Sequence, residues 1–292
     1  MGKLVRYITQ DGSAFVVACD TTDMVAEMEQ IHKTSATVTA ALGRLITAAS
    51  IMGDLLKGEN DTVTLRLNGN GPTGELIAVA DSNGNARAYV EQPVVEIPLN
   101  SKGKLDVRGA VGTDGQLYVI KDMGMKEPYI GQTPIISGEI AEDITNYYAT
   151  SEQTPSVCAL GVLVNPDLTV AHAGGFLIQL LPGCEDEIID IIEKNIASIP
   201  SVTEMLSSGM TPDGIAERAL NGIALDKLDE TNVSYRCNCS RERVENALLS
   251  TGVHNLQEMA EAGENTQVEC HFCDKKYVFT PAQIRKLMES AL

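Results

Sequence analysis

The chain carries 40 acidic and 22 basic side chains over 292 residues, a net charge of −18. That length accommodates two or three domains with a sizeable core. The charge argues against a nucleic-acid partner, since phosphate binding needs clustered Lys and Arg, and with no Trp and 4% aromatic residues base stacking is not a main binding mode.

Residues 4–9 and 14–19 read as strands around Asp11-Gly12, a hairpin turn signal. Residues 1–12 are polar and hold no apolar h-region, so no signal peptide is expected. No apolar run approaches the ~18 residues of a membrane span. Cysteines are odd in number, and three of them (Cys19, Cys158, Cys184) are scattered. This usage fits a reducing cytosol rather than a disulfide scaffold, and a cytoplasmic location is expected. Met24, Met28 and Ile31 recur at helical spacing up to about Lys33, with His32 read as a surface or capping residue. A second helix is predicted over 35–56, its apolar face mixing Leu45 and Met52 with the small Ala41 and Ala49, which suits close packing on a sheet.

Residues 62–140 are β-rich. Strands are expected over 62–67, 75–80, 86–91, 104–111, 116–121 and 135–140, with tight turns at Asn83-Gly84 and Asp114-Gly115. The run Gly69-Asn70-Gly71-Pro72-Thr73-Gly74 matches the dinucleotide pattern G-x-G-x-x-G. That pattern needs a following helix to present its amides to pyrophosphate, whereas here Pro72 interrupts it and a strand follows. A hairpin connection is the better reading, and no nucleotide is expected. A helix over 139–148 and strands over 157–164 and 168–173 lead to Gly174-Gly175, a pair that signals close backbone approach. His172 reads as a core or edge histidine.

From Glu185 the character changes. Residues 184–230 hold eleven acids and three bases in short, separately capped helices. Ile188, Ile191, Ile192 and Ile196 make an apolar stripe, Ser201-Val202-Thr203-Glu204 is a capping box, and Thr211-Pro212 opens a further helix. Short helices are marginal without packing, so this segment reads either as a solvated helical face or as a connector that changes state. The last domain is expected to begin at 229–231. It holds helices from Arg241 and Asn255, small strands over 266–269 and 276–279, and a terminal helix opened by Thr280-Pro281.

That domain contains Cys237-Asn238-Cys239 and Cys270-His271-Phe272-Cys273. Thiolates one or two residues apart can share one metal ion, because tetrahedral zinc lies about 2.3 Å from each sulfur, and two such pairs make a closed site. One reading is a zinc knot that only holds a small domain together. The other is a redox switch: residues two apart span at most about 7 Å, so both pairs can close locally with little chain movement once a metal leaves. His271 is adjacent, but four sulfurs already fill a tetrahedral site.

The residues Arg236-Cys237-Asn238-Cys239-Ser240-Arg241-Glu242-Arg243-Val244, then Cys270-His271-Phe272-Cys273 and Tyr277, closely resemble the redox-regulated holdase family of bacterial heat-shock proteins of 33 kilodaltons. Gly71-Pro72-Thr73-Gly74, Ser151-Glu152-Gln153 and the run from Ala173 to Gly183 extend the likeness over nearly the whole chain. The resemblance implies an α+β fold in three parts: an N-terminal β-rich, client-binding domain over 1–183, an acidic helical linker over 184–230, and a zinc-binding redox-switch domain over 231–292. It implies one zinc per chain in an inactive reduced form, held by Cys237, Cys239, Cys270 and Cys273. It also implies that oxidation forms Cys237–Cys239 and Cys270–Cys273 disulfides, expels zinc and exposes a surface that holds unfolding or oxidatively damaged proteins without ATP. The oxidised form of the family dimerises. No nucleic acid, membrane or nucleotide partner is implied, and no enzyme activity.

Two other functions compete. A zinc-ribbon nucleic-acid module needs a basic face and aromatic platforms, which the sequence lacks. A zinc deaminase needs H-x-E before P-C-x-x-C, and neither occurs. A closed four-sulfur site also leaves no open position for substrate water. A thiol–disulfide oxidoreductase using the Cys-x-x-Cys pair stays open as the alternative.

Overall fold

Gly12, at φ +71°, lets the chain reverse between β1 (Gly2–Thr9) and β2 (Ala14–Asp20), which pair antiparallel as the Asp11-Gly12 signal predicts. This computed structural model, which describes residues 1–290, continues into α1 (Thr22–His32) and α2 (Ala36–Asp54). Of the 19 residues of α2, 17 are buried. Its small residues permit this. A Cβ on Gly43 would meet Val162 at 2.9 Å, and one on Gly53 would meet the Asp81 carbonyl oxygen at 2.4 Å. These contacts belong to two different sheets, so α2 is the filling between them. By length and apolarity α2 would also suit a membrane span, contrary to the sequence expectation. Its apolar length is instead consumed by the two sheets.

The second sheet is a five-stranded antiparallel array built from β3 (Thr62–Asn70), β4 (Leu76–Asp81), β5 (Ala86–Val90), β6 (Gly112–Asp122) and β7 (Tyr129–Pro134), in the order β5-β4-β3-β6-β7. The glycines 69–74 connect β3 to β4, as a hairpin rather than a phosphate cradle. Two expected strands are corrected. Residues 104–111 end in α3 (Val107–Val111), because the Asp106 carboxylate accepts the Gly109 amide at 2.9 Å and nucleates a turn of helix. Residues 135–140 form no strand, because Asp143 captures their amides. Its carboxylate accepts from Ile136 at 2.8 Å and from Ser137 and Ile140 at 2.9 Å, opening α4 (Ala141–Thr150). The strand of this region is β7, which ends in Pro134 at the sheet edge.

The first sheet is completed by β8 (Ser156–Val164), β9 (Val170–Leu180) and β10 (Leu225–Val233), in the antiparallel order β10-β1-β2-β9-β8. Gly174 and Gly175 lie within β9, where a Cβ would meet the Cys19 and Ala159 carbonyl oxygens at 2.4 and 2.7 Å. One face of this sheet joins α1 and α2 in the main core. The other face, with Val5, Val16, Ala18, Phe176 and Ile178, is covered by α5 (Asp186–Ser198), α6 (Val202–Ser207) and α7 (Pro212–Ala219). Ser201 and Glu204 form the expected capping box of α6, and Pro212 opens α7.

The chain divides into two compact units, Met1–Arg236 and a second from Cys237 onward. Sequence reading starts the last domain at 229–231, but those residues lie in β10, paired to β1 by a main-chain ladder. Tyr235 is buried, and the Arg236 amide donates to the Ala86 carbonyl at 2.8 Å, so the first unit holds the chain up to the residue before Cys237. The second unit contains α8 (Arg241–Ser250), α9 (Val253–Glu261), β11 (Thr266–Glu269), β12 (Lys276–Phe279) and α10 (Pro281–Ser290).

Candidate metal centre

Cys237 and Cys239 sit in the extended segment before α8, whose start is fixed by Ser240 accepting the Arg243 amide at 3.2 Å. Cys270 and Cys273 lie in the connection between β11 and β12. The Cys273 and Asp274 amides donate to the Cys270 carbonyl at 3.2 and 2.8 Å, and Asp274 takes φ +55°. This turn folds the second pair back toward the first. Cys237 Sγ lies 3.7 Å from Cys270 Sγ and Cys239 Sγ 3.4 Å from Cys273 Sγ, and all four sulfurs fall within 4.8 Å of one another. A tetrahedral ion with metal–sulfur bonds of about 2.3 Å sets sulfurs about 3.8 Å apart, so the donors fit zinc in both chemistry and spacing. All four are free thiols. Among the described residues no other group of three or more His, Cys, Asp or Glu side chains converges in this way, and no histidine belongs to this one.

The electrostatics are uneven. Burial opposes ionisation of Cys239, yet hydrogen bonds from Tyr277 and the neighbouring thiols outweigh it and hold its pKa down to about 7. Burial pushes the Cys237 and Cys273 thiols up. By themselves, then, Cys237 and Cys273 hold negative charge poorly. A dication reverses this by offsetting the accumulated negative charge, which makes metal uptake release protons. Tyr277 Oη donates to Cys239 Sγ at 3.1 Å. Sequence reading quoted Tyr277 but gave it no role. The nearby core is small: Val244, Leu248, Leu256, Ala260, Tyr277, Phe279 and Ile284 are its buried apolar members among the described residues.

The scattered cysteines stand apart from this group. Cys19 is buried, its thiol donating to the Gly175 carbonyl at 3.6 Å, and burial pushes it and Cys158 up, Cys158 to about 12. His32 faces the Ala88 carbonyl at 2.8 Å and is half-buried rather than on the surface. A charged network around β10 has no signature in the sequence. Arg6 binds Asp229 through Nε at 2.8 Å and reaches Asp54 at 3.4 Å, while Lys227 spans Asp213 and Glu230 at 2.6 and 2.7 Å and Tyr7 Oη donates to Asp213 at 2.6 Å. Apart from Lys227 and Glu230, three residues apart, its partners are remote in sequence, so no local spacing reveals them.

A sequence profile of the family described as "Hsp33 protein" matches residues 2–280. The 33 kDa chaperonin of Clostridium botulinum (strain 657 / Type Ba4) is 45% identical over 288 residues, covering 99% of this chain and 97% of that protein. The 33 kDa chaperonin of Clostridium beijerinckii is 45% identical over 289 residues, covering 99% of each. Among solved structures, the crystal structure of the 33 kDa chaperonin (heat shock protein 33 homolog) of Thermotoga maritima superposes with a TM-score of 0.88 at 36% identity, covering 98% of each chain. With the α+β fold and the four-sulfur cluster in place, these likenesses establish that the chain belongs to the Hsp33 family of chaperones.

Proposed function

We propose that the chain is a redox-regulated, ATP-independent holdase of the cytoplasm that binds unfolding or oxidatively damaged proteins and prevents their aggregation. Cys237, Cys239, Cys270 and Cys273 hold one zinc per chain in the reduced, inactive form. Bound there, the ion supplies charge compensation that keeps the sulfurs as thiolates, the form that oxidants attack. The observation that carries the proposal is the convergence of two separated cysteine pairs in a unit with so small an apolar core.

In the activating step, the Cys270 and Cys273 thiolates lose two electrons to a peroxide and join in an S–S bond. The peroxide takes up two protons and leaves as two waters. Cys237 and Cys239 react in the same way with a second peroxide, and the zinc ion is released. Each local disulfide closes a loop of three or four residues and contributes only about 1.5–2 kcal/mol on the chain-entropy model. The zinc it displaces contributes on the order of 10–16 kcal/mol of apparent binding energy. A crosslink between the pairs, such as Cys237 to Cys273, would preserve the fold, whereas local pairing unfolds it.

Function then divides the chain into client-binding residues 1–183, a releasable linker over 184–230 and a switch from Cys237 onward, with residues 231–236 held on the first unit. The linker covers the apolar sheet face of Val5, Tyr7, Val16, Phe176 and Ile178. Its seat is loose at one end: Ile192 is the one buried residue of α5, and a cavity of about 300 Å³ lies among Val157, Ile178, Leu180, Ile189 and Ile192. Release of α5–α7 exposes that face to apolar segments of clients. The oxidised form is a homodimer, and neither nucleotide, nucleic acid nor membrane takes part. The alternative, thiol–disulfide exchange through Cys270 and Cys273, has less support, because both sulfurs converge with Cys237 and Cys239 in a closed set of four donors rather than standing as an accessible pair.

Light scattering of a thermally unfolding client tests the proposal, with reduced zinc-loaded and oxidised zinc-free protein side by side and no ATP. Suppression by the oxidised sample alone is expected. Equal suppression by both, or by neither, would contradict it.

A further inference from the structure

The sulfurs of Cys237, Cys239 and Cys273 are faced by donors of different kinds. The Cys239 amide faces Cys237 and the Lys275 amide faces Cys273, both fixed by the main chain. Cys239 receives a side-chain hydroxyl, Tyr277 Oη at 3.1 Å. That hydroxyl is positioned from several directions. Tyr277 pairs with Val268 in the β11–β12 ladder, its ring is buried in the core of the second unit, and Lys275 Nζ sits 5.3 Å from the ring centroid.

A hydroxyl that donates to a sulfur draws on the lone pair the sulfur would use to attack an oxidant or an alkylating agent, and partners of this kind orient and tune metal ligands. Resting on the reading of the four cysteines as a zinc-bound redox centre, we propose that Tyr277 is a positioning residue of that centre. Its hydroxyl shields Cys239 from electrophiles and so raises the oxidant dose needed to break the centre open. The ligand it acts on is the thiolate sulfur, and the reagents it discriminates against are peroxides and hypohalous acids.

The test uses the full-length zinc-loaded protein and Tyr277→Phe, which keeps the ring and removes only the hydroxyl. Iodoacetamide modification of each cysteine is followed by peptide mass spectrometry. Zinc transfer to a chromophoric indicator is followed during hydrogen peroxide titration. Loss of one hydrogen bond's net worth corresponds to roughly three- to tenfold in rate. Cys239 in the variant should react faster by that factor, Cys270 should change little, and half-release of zinc should need less peroxide. An unchanged Cys239 rate overturns the proposal. So does an equal acceleration of all four cysteines, which is what a purely structural role would give. Should Tyr277→Phe misfold, 3-fluorotyrosine at 277 keeps the ring and strengthens the donor. It should slow Cys239, and no slowing overturns the proposal. Failure of the underlying reading shows separately, as wild-type protein that takes up no zinc.

Discussion

The two units of this chain are held together by different forces. In the first, a continuous apolar core surrounds α2, and Leu45, Ile46, Leu65 and Val119 are among its fully buried members. At 1.5–3 kcal/mol for each large apolar side chain fully buried, such cohesion is insensitive to oxidants. In the second, a segment from Cys237 onward builds a core of a few side chains around four sulfurs. A piece of about 56 residues is marginal without a staple, and on the proposed function that staple is a metal ion held by the four sulfurs. On the proposed function, placing cohesion in burial on one side and in sulfur on the other would let an oxidant dissolve the second unit and release residues 184–230 while the α2 core stands.

The largest effect expected from breaking this contrast is at the sulfurs. Cys239→Ser, or removal of zinc by a chelator, should abolish the folded second unit, read as loss of its amide protection, while the first unit keeps its unfolding transition. Full zinc retention in Cys239→Ser, with loss in His271→Ala, would reassign the ligands. The converse probe is Leu45→Ala in α2. It should destabilise the first unit by about 2–5 kcal/mol in urea and leave the zinc content unchanged.

A smaller effect concerns the rim where β10 is held. Burial raises the Asp54 pKa to about 6 even with Arg6 beside it. A carboxyl whose folded pKa lies above its unfolded value stabilises the fold below the unfolded pKa, and that contribution is lost as pH rises through the folded one. Stability of the first unit should therefore carry a component that falls between about pH 4 and pH 6. Asp54→Asn should remove that component and add about 2–3 kcal/mol at pH 7, measured by urea unfolding across this range. The smallest effect is expected for Tyr7→Phe, which loses the bond to Asp213 and should loosen α7 by about 1.5 kcal/mol, seen as faster amide exchange in α7 and β10 without any change in zinc.

What the sequence made legible was local. The Asp11-Gly12 hairpin, the Ser201/Glu204 capping box, Pro212 at the start of α7, and the strands flanking Cys270 and Cys273 all depend on neighbours within a few residues. The four-cysteine centre was legible because each half is a short motif. The misreadings came where distant groups decide. Residues 135–140 look like a strand until Asp143 takes their amides, and β7 is hidden by its glycine and terminal proline. Residues 225–230, read from the sequence as part of a helical linker, form strand β10 instead, because their partners are β1 and the charges Arg6 and Lys3, more than 200 residues away. The contact of Tyr277 with Cys239 depends on the β11–β12 register, which no spacing reports.

The central claim is that oxidation dissolves the sulfur-held unit and frees the linker while the α2 core stands. Hydrogen exchange by mass spectrometry on reduced zinc-loaded and oxidised protein tests it directly. The account predicts that residues 237–290 and 184–230 lose protection together on oxidation, whereas α2 and the strands β3, β4 and β6 stay protected. Unchanged protection of 184–230 in both redox states would contradict it.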